Sequence, residues 1–182
     1  MPATTTARIL TVDDNPIVRA DLRLMLEDAG FEVVPDARDG VEAVDFAREH
    51  KPDLVLIDLS LPLLDGVEAT RRILDERDVP VVALTAHSRG DFVQRAVAAG
   101  AVGHVLKPFS RVDLVATVSG ALADRADRDE QERRVYLTMI ESMVRAGRPE
   151  REITRAVENT RAAERGLHAP PRRGVLRRRL GQ

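Results

Sequence analysis

Short runs of Leu, Val and Ile alternate along the chain with longer amphipathic stretches, and that alternation sets the expected fold. The apolar runs are Arg8–Val12, residues 31–34, Leu54–Asp58, Val81–Thr85 and residues 102–106. They lack the every-second-residue polarity of a strand with one wet face, so they suit a parallel sheet covered by helices on both sides. The intervening stretches place apolar residues at helical spacing. The first carries Ile17, Leu22, Met25, Leu26 and Ala29; the second carries Val41, Val44, Phe46 and Ala47. A third helix over 66–78 uses Val67, Ala69, Ile73 and Leu74, a fourth spans 88–99, and a fifth over 110–123 uses Val112, Leu114, Val115, Val118 and Leu122. Punctuation falls between these segments. Asn15-Pro16 supplies a cap and a first-turn proline, Gly30 and Gly100 are natural stops, and Asp39-Gly40 opens the second helix. Strict strand–helix alternation predicts an α/β fold, a doubly wound five-stranded parallel sheet.

Beyond residue 123 the pattern changes. Residues 124–134 are dense in alternating charge and read as a charged linker or an extension of the fifth helix. Residues 135–166 form a helical appendage: Val135, Leu137, Met139, Ile140, Met143 and Val144 on one helix, then Ala146-Gly147, then Ile153, Ala156, Val157 and Ala163 on another opened by Pro149. Two such helices need a further surface or a second copy to bury their faces, which makes a homodimer a candidate. Residues 167–182 are a basic tail containing Arg172, Arg173, Arg177, Arg178 and Arg179, expected to lack fixed structure. The expected boundaries are therefore 7–123, 124–134, 135–166 and 167–182.

Composition narrows the class. The chain has 182 residues, 43% hydrophobic and 32% charged, enough for one well-buried domain and a smaller appendage. It has no cysteine, which excludes disulfides, thiol nucleophiles and cysteine metal sites. With no long apolar stretch and no apolar region before Arg8, the expectation is a soluble cytoplasmic protein without membrane contact. A net charge of −2 conceals an asymmetry: residues 1–123 hold 13 Lys/Arg against 20 Asp/Glu, net −7, and residues 124–182 hold 15 against 10, net +5. The basic part favours an anionic partner, nucleic acid included, or contact with its own acidic domain.

Candidate chemistry lies at the strand ends. The first strand runs into Asp13 and Asp14, the third ends on Asp58, the fourth on Thr85, and the fifth leads into Lys107. Taken alone, Asp58 equally fits a turn-starting aspartate, Thr85 a simple strand end, and Lys107 a solvated charge. In a parallel sheet all of them reach the carboxyl edge, where ligands bind. Clustered carboxylates suit a hard divalent ion such as Mg²⁺, and a lysine with a hydroxyl beside it can hold a phosphoryl group. His87 and His104 have no ligand spacing with another histidine, so neither reads as a metal ligand.

Val12-Asp13-Asp14, the strand to Asp58, Leu61-Pro62 with Asp65-Gly66, Thr85-Ala86 and Lys107-Pro108-Phe109, in that order, resemble the receiver domain of two-component response regulators. The resemblance covers roughly the first two-thirds of the chain and implies a flavodoxin-like receiver fold. It implies Asp58 as phosphoacceptor, Asp14 and Asp58 as direct Mg²⁺ ligands, Asp13 acting mainly through water, and the Ser60 carbonyl as a further ligand. It also implies Lys107 on the phosphoryl group, a cis Lys107–Pro108 peptide, Thr85 as a switch hydroxyl, and backbone N–H groups near Ser60 and Ala86 as donors. His104 stands where the family usually has a switch aromatic, while Ser60 and His87 lie near the expected phosphate. The implied partner is a sensor histidine kinase, and the protein is not itself an enzyme acting on an external substrate. Two other readings remain: a DNA- or RNA-binding transcription regulator using the basic segment, and a small acidic-site phosphohydrolase. Ala146–Ile153 is similar in part to the opening of a helix-turn-helix, but no recognition helix follows.

Overall fold

Burial explains the apolar runs. In the computed structural model, which describes residues 6–86 and 90–164 with backbone alone at 90–93 and 159–164, every residue of β3 (Leu54–Asp58) and β4 (Val81–Thr85) is buried. With β1 (Arg8–Val12), β2 (Glu32–Val33) and β5 (Gly103–Leu106) they make one parallel sheet in the order β2-β1-β3-β4-β5. Side chains alternate across it. Leu54 and Leu56 of β3 join Ile9, Leu84 and the inner residues Leu22, Leu26, Leu114 and Val118 of α1 (Pro16–Glu27) and α5 (Arg111–Arg145). Val55 and Ile57 face the other way, against Ala43, Ala47 and Ile73 of α2 (Gly40–His50) and α3 (Gly66–Glu76). Full burial of each such aliphatic side chain stabilises the fold by about 1.5–3 kcal/mol. A smaller cluster of Val67, Ala83, Ala96 and Ala99 sits beneath α4 (Gly90–Ala99).

The polar punctuation does what its chemistry allows. Asn15, Asp39 and Asp65 cap α1, α2 and α3, each side chain accepting from a backbone N–H of the first turn. β2 is shorter than the predicted 31–34: the Glu32 N–H donates to Ala7 O and the Val34 N–H to Ile9 O, and Pro35 follows. Since the chain goes from β1 outward to β2 and then back past β1 to β3, the strand order reverses between β1 and β3. In doubly wound sheets the crevice at that reversal, on the carboxyl side, is where ligands bind.

Of the two readings of 124–134, the helix extension holds: α5 runs unbroken for 35 residues through the charged stretch to Arg145, taking in the first helix of the appendage. No glycine or proline interrupts the chain from Ala121 to Ala146, and Arg125–Asp129 and Glu130–Arg134 pair at i,i+4 spacing. Its buried residues, Leu114, Val118 and Ala121, all precede residue 124. The chain divides into two units, Met1–Leu137 and Thr138–Gln182. Within the second, Gly147 at φ 63 closes α5: its N–H donates to Val144 O and the Arg148 N–H to Met143 O, the left-handed stop that glycine adopts most readily. Then α6 spans Glu150–Glu164, with Ile153, Ala156 and Val157 half-buried. His87 and the tail at 167–182 lie outside the described residues. Among the described residues, no helix is long and apolar enough to cross a membrane.

Candidate functional site

The carboxyl edge of the sheet brings the acidic residues together. One carboxylate oxygen each from Asp13, Asp14 and Asp58 lies within 4.8 Å of the others. Asp13 follows β1 and is fully buried; Asp58 is the last residue of β3 and 7% exposed; Asp14 is open to solvent. Close approach of α3 helps shape the site. A Cβ on Gly66 would stand 2.0 Å from the Asp58 carbonyl oxygen, so only glycine lets the start of α3 lie against the end of β3.

Hydrogen bonds orient both buried carboxylates. Asp13 Oδ1 accepts from the Asn15 N–H at 3.0 Å, and Asp58 Oδ1 accepts from the Ser60 N–H at 2.8 Å. Their Oδ2 atoms converge on one cation: Lys107 Nζ donates to Asp13 Oδ2 at 2.5 Å and also to Asp58 Oδ2. The two partners respond differently to this contact. Burial pushes the Asp13 carboxyl above its usual range, against the opposing pull of Lys107 and the Asn15 N–H, and the nearby Asp58 charge adds to the rise. Burial alone would pull Lys107 down, yet its hydrogen bonds to Asp13 and Asp58 hold it above its usual range. Burial outweighs the pull of the lysine at Asp13, whereas the two carboxylates together outweigh burial at Lys107.

Thr85 ends β4 at 3% exposure, and its carbonyl accepts from the Lys107 N–H at 2.7 Å, tying β4 to the segment that carries the lysine. The Lys107–Pro108 peptide is cis. His104 lies away from the acids, exposed on the edge strand β5 opposite Ala83. Ser60 is also exposed, and its backbone N–H, rather than its hydroxyl, touches Asp58. The structure thus gathers Asp13, Asp14, Asp58 and Lys107, sets Thr85 beside them, and leaves His104 outward.

Sequence reasoning missed Arg19, Arg23 and Asp36. Arg19 reaches back from α1 to the carbonyls of Asp13 and Asp14, while Asp36 binds both arginines. The i,i+4 arginine pair was visible in the sequence, but nothing local pointed to Asp36 on a different loop.

The donor set is all oxygen, compact and short of positive charge, which fits a hard divalent cation that retains part of its water shell. Asp13, Asp14 and Asp58 are the residues that would hold Mg²⁺.

Comparison with known proteins points to one family. The family model described as response regulator receiver domain matches residues 9–119. The transcriptional regulatory protein PdtaR of Mycobacterium tuberculosis is 44% identical over 116 residues, 64% of this chain and 57% of that one. The match thus spans little more than half of that relative. The chemotaxis protein CheY of Halobacterium salinarum is 36% identical over 116 residues, 63% of this chain and 96% of that one. Among solved structures, the receiver domain of sensor histidine kinase PA1611 from Pseudomonas aeruginosa, described with magnesium coordinated in its active-site cleft, superposes with a TM-score of 0.61. It is 33% identical and covers 65% of this chain and 99% of its own. With the acidic edge, the lysine and the sheet order all in place, this chain belongs to the response regulator receiver domain family of two-component systems.

Proposed function

We propose that the chain is a phosphorylation-dependent response regulator in which Asp58 accepts a phosphoryl group from a histidine kinase. The observation that carries this reading is the Lys107 ammonium bridging Asp13 and Asp58 at the strand-order reversal. An oxygen of Asp58 attacks phosphorus, the P–O bond forms as the P–N bond to the donor imidazole breaks, and the electron pair leaves with the imidazole nitrogen. Attack by the carboxylate form of Asp58 requires no general base. Lys107 pairs with the transferred phosphoryl oxygens, and the Thr85 hydroxyl with the backbone N–H groups near Ser60 and Ala86 supplies further donors. Mg²⁺ bound by Asp13, Asp14, Asp58 and the Ser60 carbonyl would offset charge on the phosphoryl oxygens. Water attack on the acyl phosphate returns Asp58 and inorganic phosphate.

Kinase docking is proposed on the outward face of α1. Ile17 and Leu24 are 69% and 63% exposed and, with exposed Ala20 between them, form an apolar row beginning just past the acidic turn. The signal then passes through Thr85 and His104 to the surface of α4, β5 and α5, altering association of the protein with a partner or a second copy. A phosphoryl group adds about −1.5 to −2 charges beside Lys107, and its conformational effect is set by how differently two states bind it. Residues 7–123 are proposed as the receiver and the helical segment beyond as output.

Incubation with a phosphohistidine donor and Mg²⁺ tests this reading. The chain should gain one phosphoryl group, cleavable by hydroxylamine, and Asp58→Asn should gain none. Equal labelling of Asp58→Asn would overturn the assignment, and steady turnover of an external phosphomonoester would favour a phosphohydrolase.

A further inference from the structure

We infer that Arg19 is a positioning residue for the acidic turn, with Asp36 as the fixed anion that aims it, and that this pair sets how tightly the edge holds a divalent cation. The inference rests on the assignment of Asp13, Asp14 and Asp58 as the metal-binding acids. Arg19 is on the second turn of α1, and its side chain is 18% exposed. Its Nη1 donates to the Asp13 carbonyl at 2.8 Å and to the Asp14 carbonyl at 3.3 Å, so one planar guanidinium spans the turn that presents both acids. Its Nε donates to Asp36 Oδ2 at 2.6 Å, which fixes the plane of the group.

Asp36 is itself held from a second side. Its Oδ1 accepts from Arg23 Nη2 at 2.9 Å, and Arg23 also donates to the carbonyls of Val33 and Val34 at 3.1 and 3.2 Å. Through these bonds α1, the end of β2 and the acidic turn share one charged network. The turn is braced from the β2 side as well, by the Asp13 N–H on Ala37 O at 3.1 Å and the Ala37 N–H on Thr11 O at 2.9 Å. A guanidinium on two carbonyls has two consequences. It restrains rotation of the peptides that carry the two carboxylates, and its charge partly offsets the crowding of acids on the far side of the turn. Lysine cannot reproduce this, because a single ammonium lacks the planar fork needed to serve two carbonyls and a carboxylate in fixed directions.

Isothermal titration of the full chain with MgCl₂ tests the inference, using Arg19→Gln, Arg19→Lys and Asp36→Asn, with amide hydrogen exchange of the metal-free proteins alongside. Arg19→Gln should weaken Mg²⁺ binding by about tenfold, Arg19→Lys should recover only part of that loss, and Asp36→Asn should fall between wild type and Arg19→Gln. In the metal-free variants the Asn15 amide, bonded to Asp13 Oδ1, should exchange faster while amides of β3 and β4 stay protected. Mg²⁺ affinity within twofold of wild type in both Arg19→Gln and Asp36→Asn would overturn the inference, whatever their thermal stability. Lack of saturable Mg²⁺ binding by the unsubstituted chain would instead remove the metal-site assignment, and this inference with it.

Discussion

Replacing Lys107 by methionine probes the electrostatics of the site with little change in side-chain volume. The Lys107 side chain is 19% exposed and its ammonium is hydrogen-bonded to both Asp13 and Asp58, whose side chains are 0% and 10% exposed. Its removal leaves two buried carboxylates facing each other. Carboxylate oxygens within 4.8 Å repel by roughly 3.5 kcal/mol at an effective dielectric constant of about 20. Stranding one member of a buried ion pair costs about 3–5 kcal/mol, and the partial exposure of Lys107 points to the lower part of that range. Lys107→Met should therefore destabilise the metal-free protein at pH 7 by about 3–4 kcal/mol, which lowers Tm by roughly 6–16 °C for a chain of this size. Urea unfolding in EDTA measures it. Two conditions should shrink the loss: excess Mg²⁺, which replaces the missing charge, and mild acid, because burial already favours the protonated form of Asp13. In an Asp13→Asn background the same substitution should cost less than half as much, a coupling between residues in direct contact. A loss under 0.5 kcal/mol, or one that is equal in both backgrounds, would refute this account of the site.

Asp36→Asn should show a pH signature of its own. Burial would raise the Asp36 carboxyl, but hydrogen bonds from Arg23 and Arg19 hold it below 3.8, so its stabilisation is present above that value and lost as pH falls through the lower native one. The variant should lose about 1–2 kcal/mol at pH 7, with the gap to wild type closing below about pH 4 in urea titrations. Gly66→Ala should destabilise by about 3 kcal/mol or prevent folding, since its Cβ meets the Asp58 carbonyl at 2.0 Å; circular dichroism melts and soluble yield report it, and a wild-type melt would refute the packing argument. Truncation after Ala123 keeps Leu114, Val118 and Ala121, the buried residues of α5, so phosphoryl uptake should persist. Light scattering should then show loss of any phosphorylation-dependent association, and loss of uptake itself would place the receiver boundary further along α5.

The sheet was legible because complete burial on both faces imposes uninterrupted Leu, Val and Ile on β3 and β4, and because Asn15, Asp39 and Asp65 mark helix starts with local chemistry. The acids were legible as strand-end residues, which the sheet order then brings to one edge. Whether α5 continued through 124–134 stayed open, since a run of alternating charge has the same composition as a linker and as an i,i+4-paired helix. Leu63 gave no hint of its φ of 64, a backbone state that leucine disfavours and that here belongs to the loop between β3 and α3. The Arg19–Asp36 contact escaped for a different reason: it joins α1 to the loop after β2 through a pairing set only by the tertiary fold.

Mapping the phosphoryl group to a residue tests the central claim most directly. The chain is phosphorylated in Mg²⁺, reduced with borohydride to convert an aspartyl phosphate to homoserine, digested, and sequenced by mass spectrometry. Homoserine at position 58 alone, absent when Mg²⁺ is chelated, is the predicted result. Modification at Asp13 or Asp14 with Asp58 intact, or phosphate recovered on a serine, threonine or histidine, would contradict it.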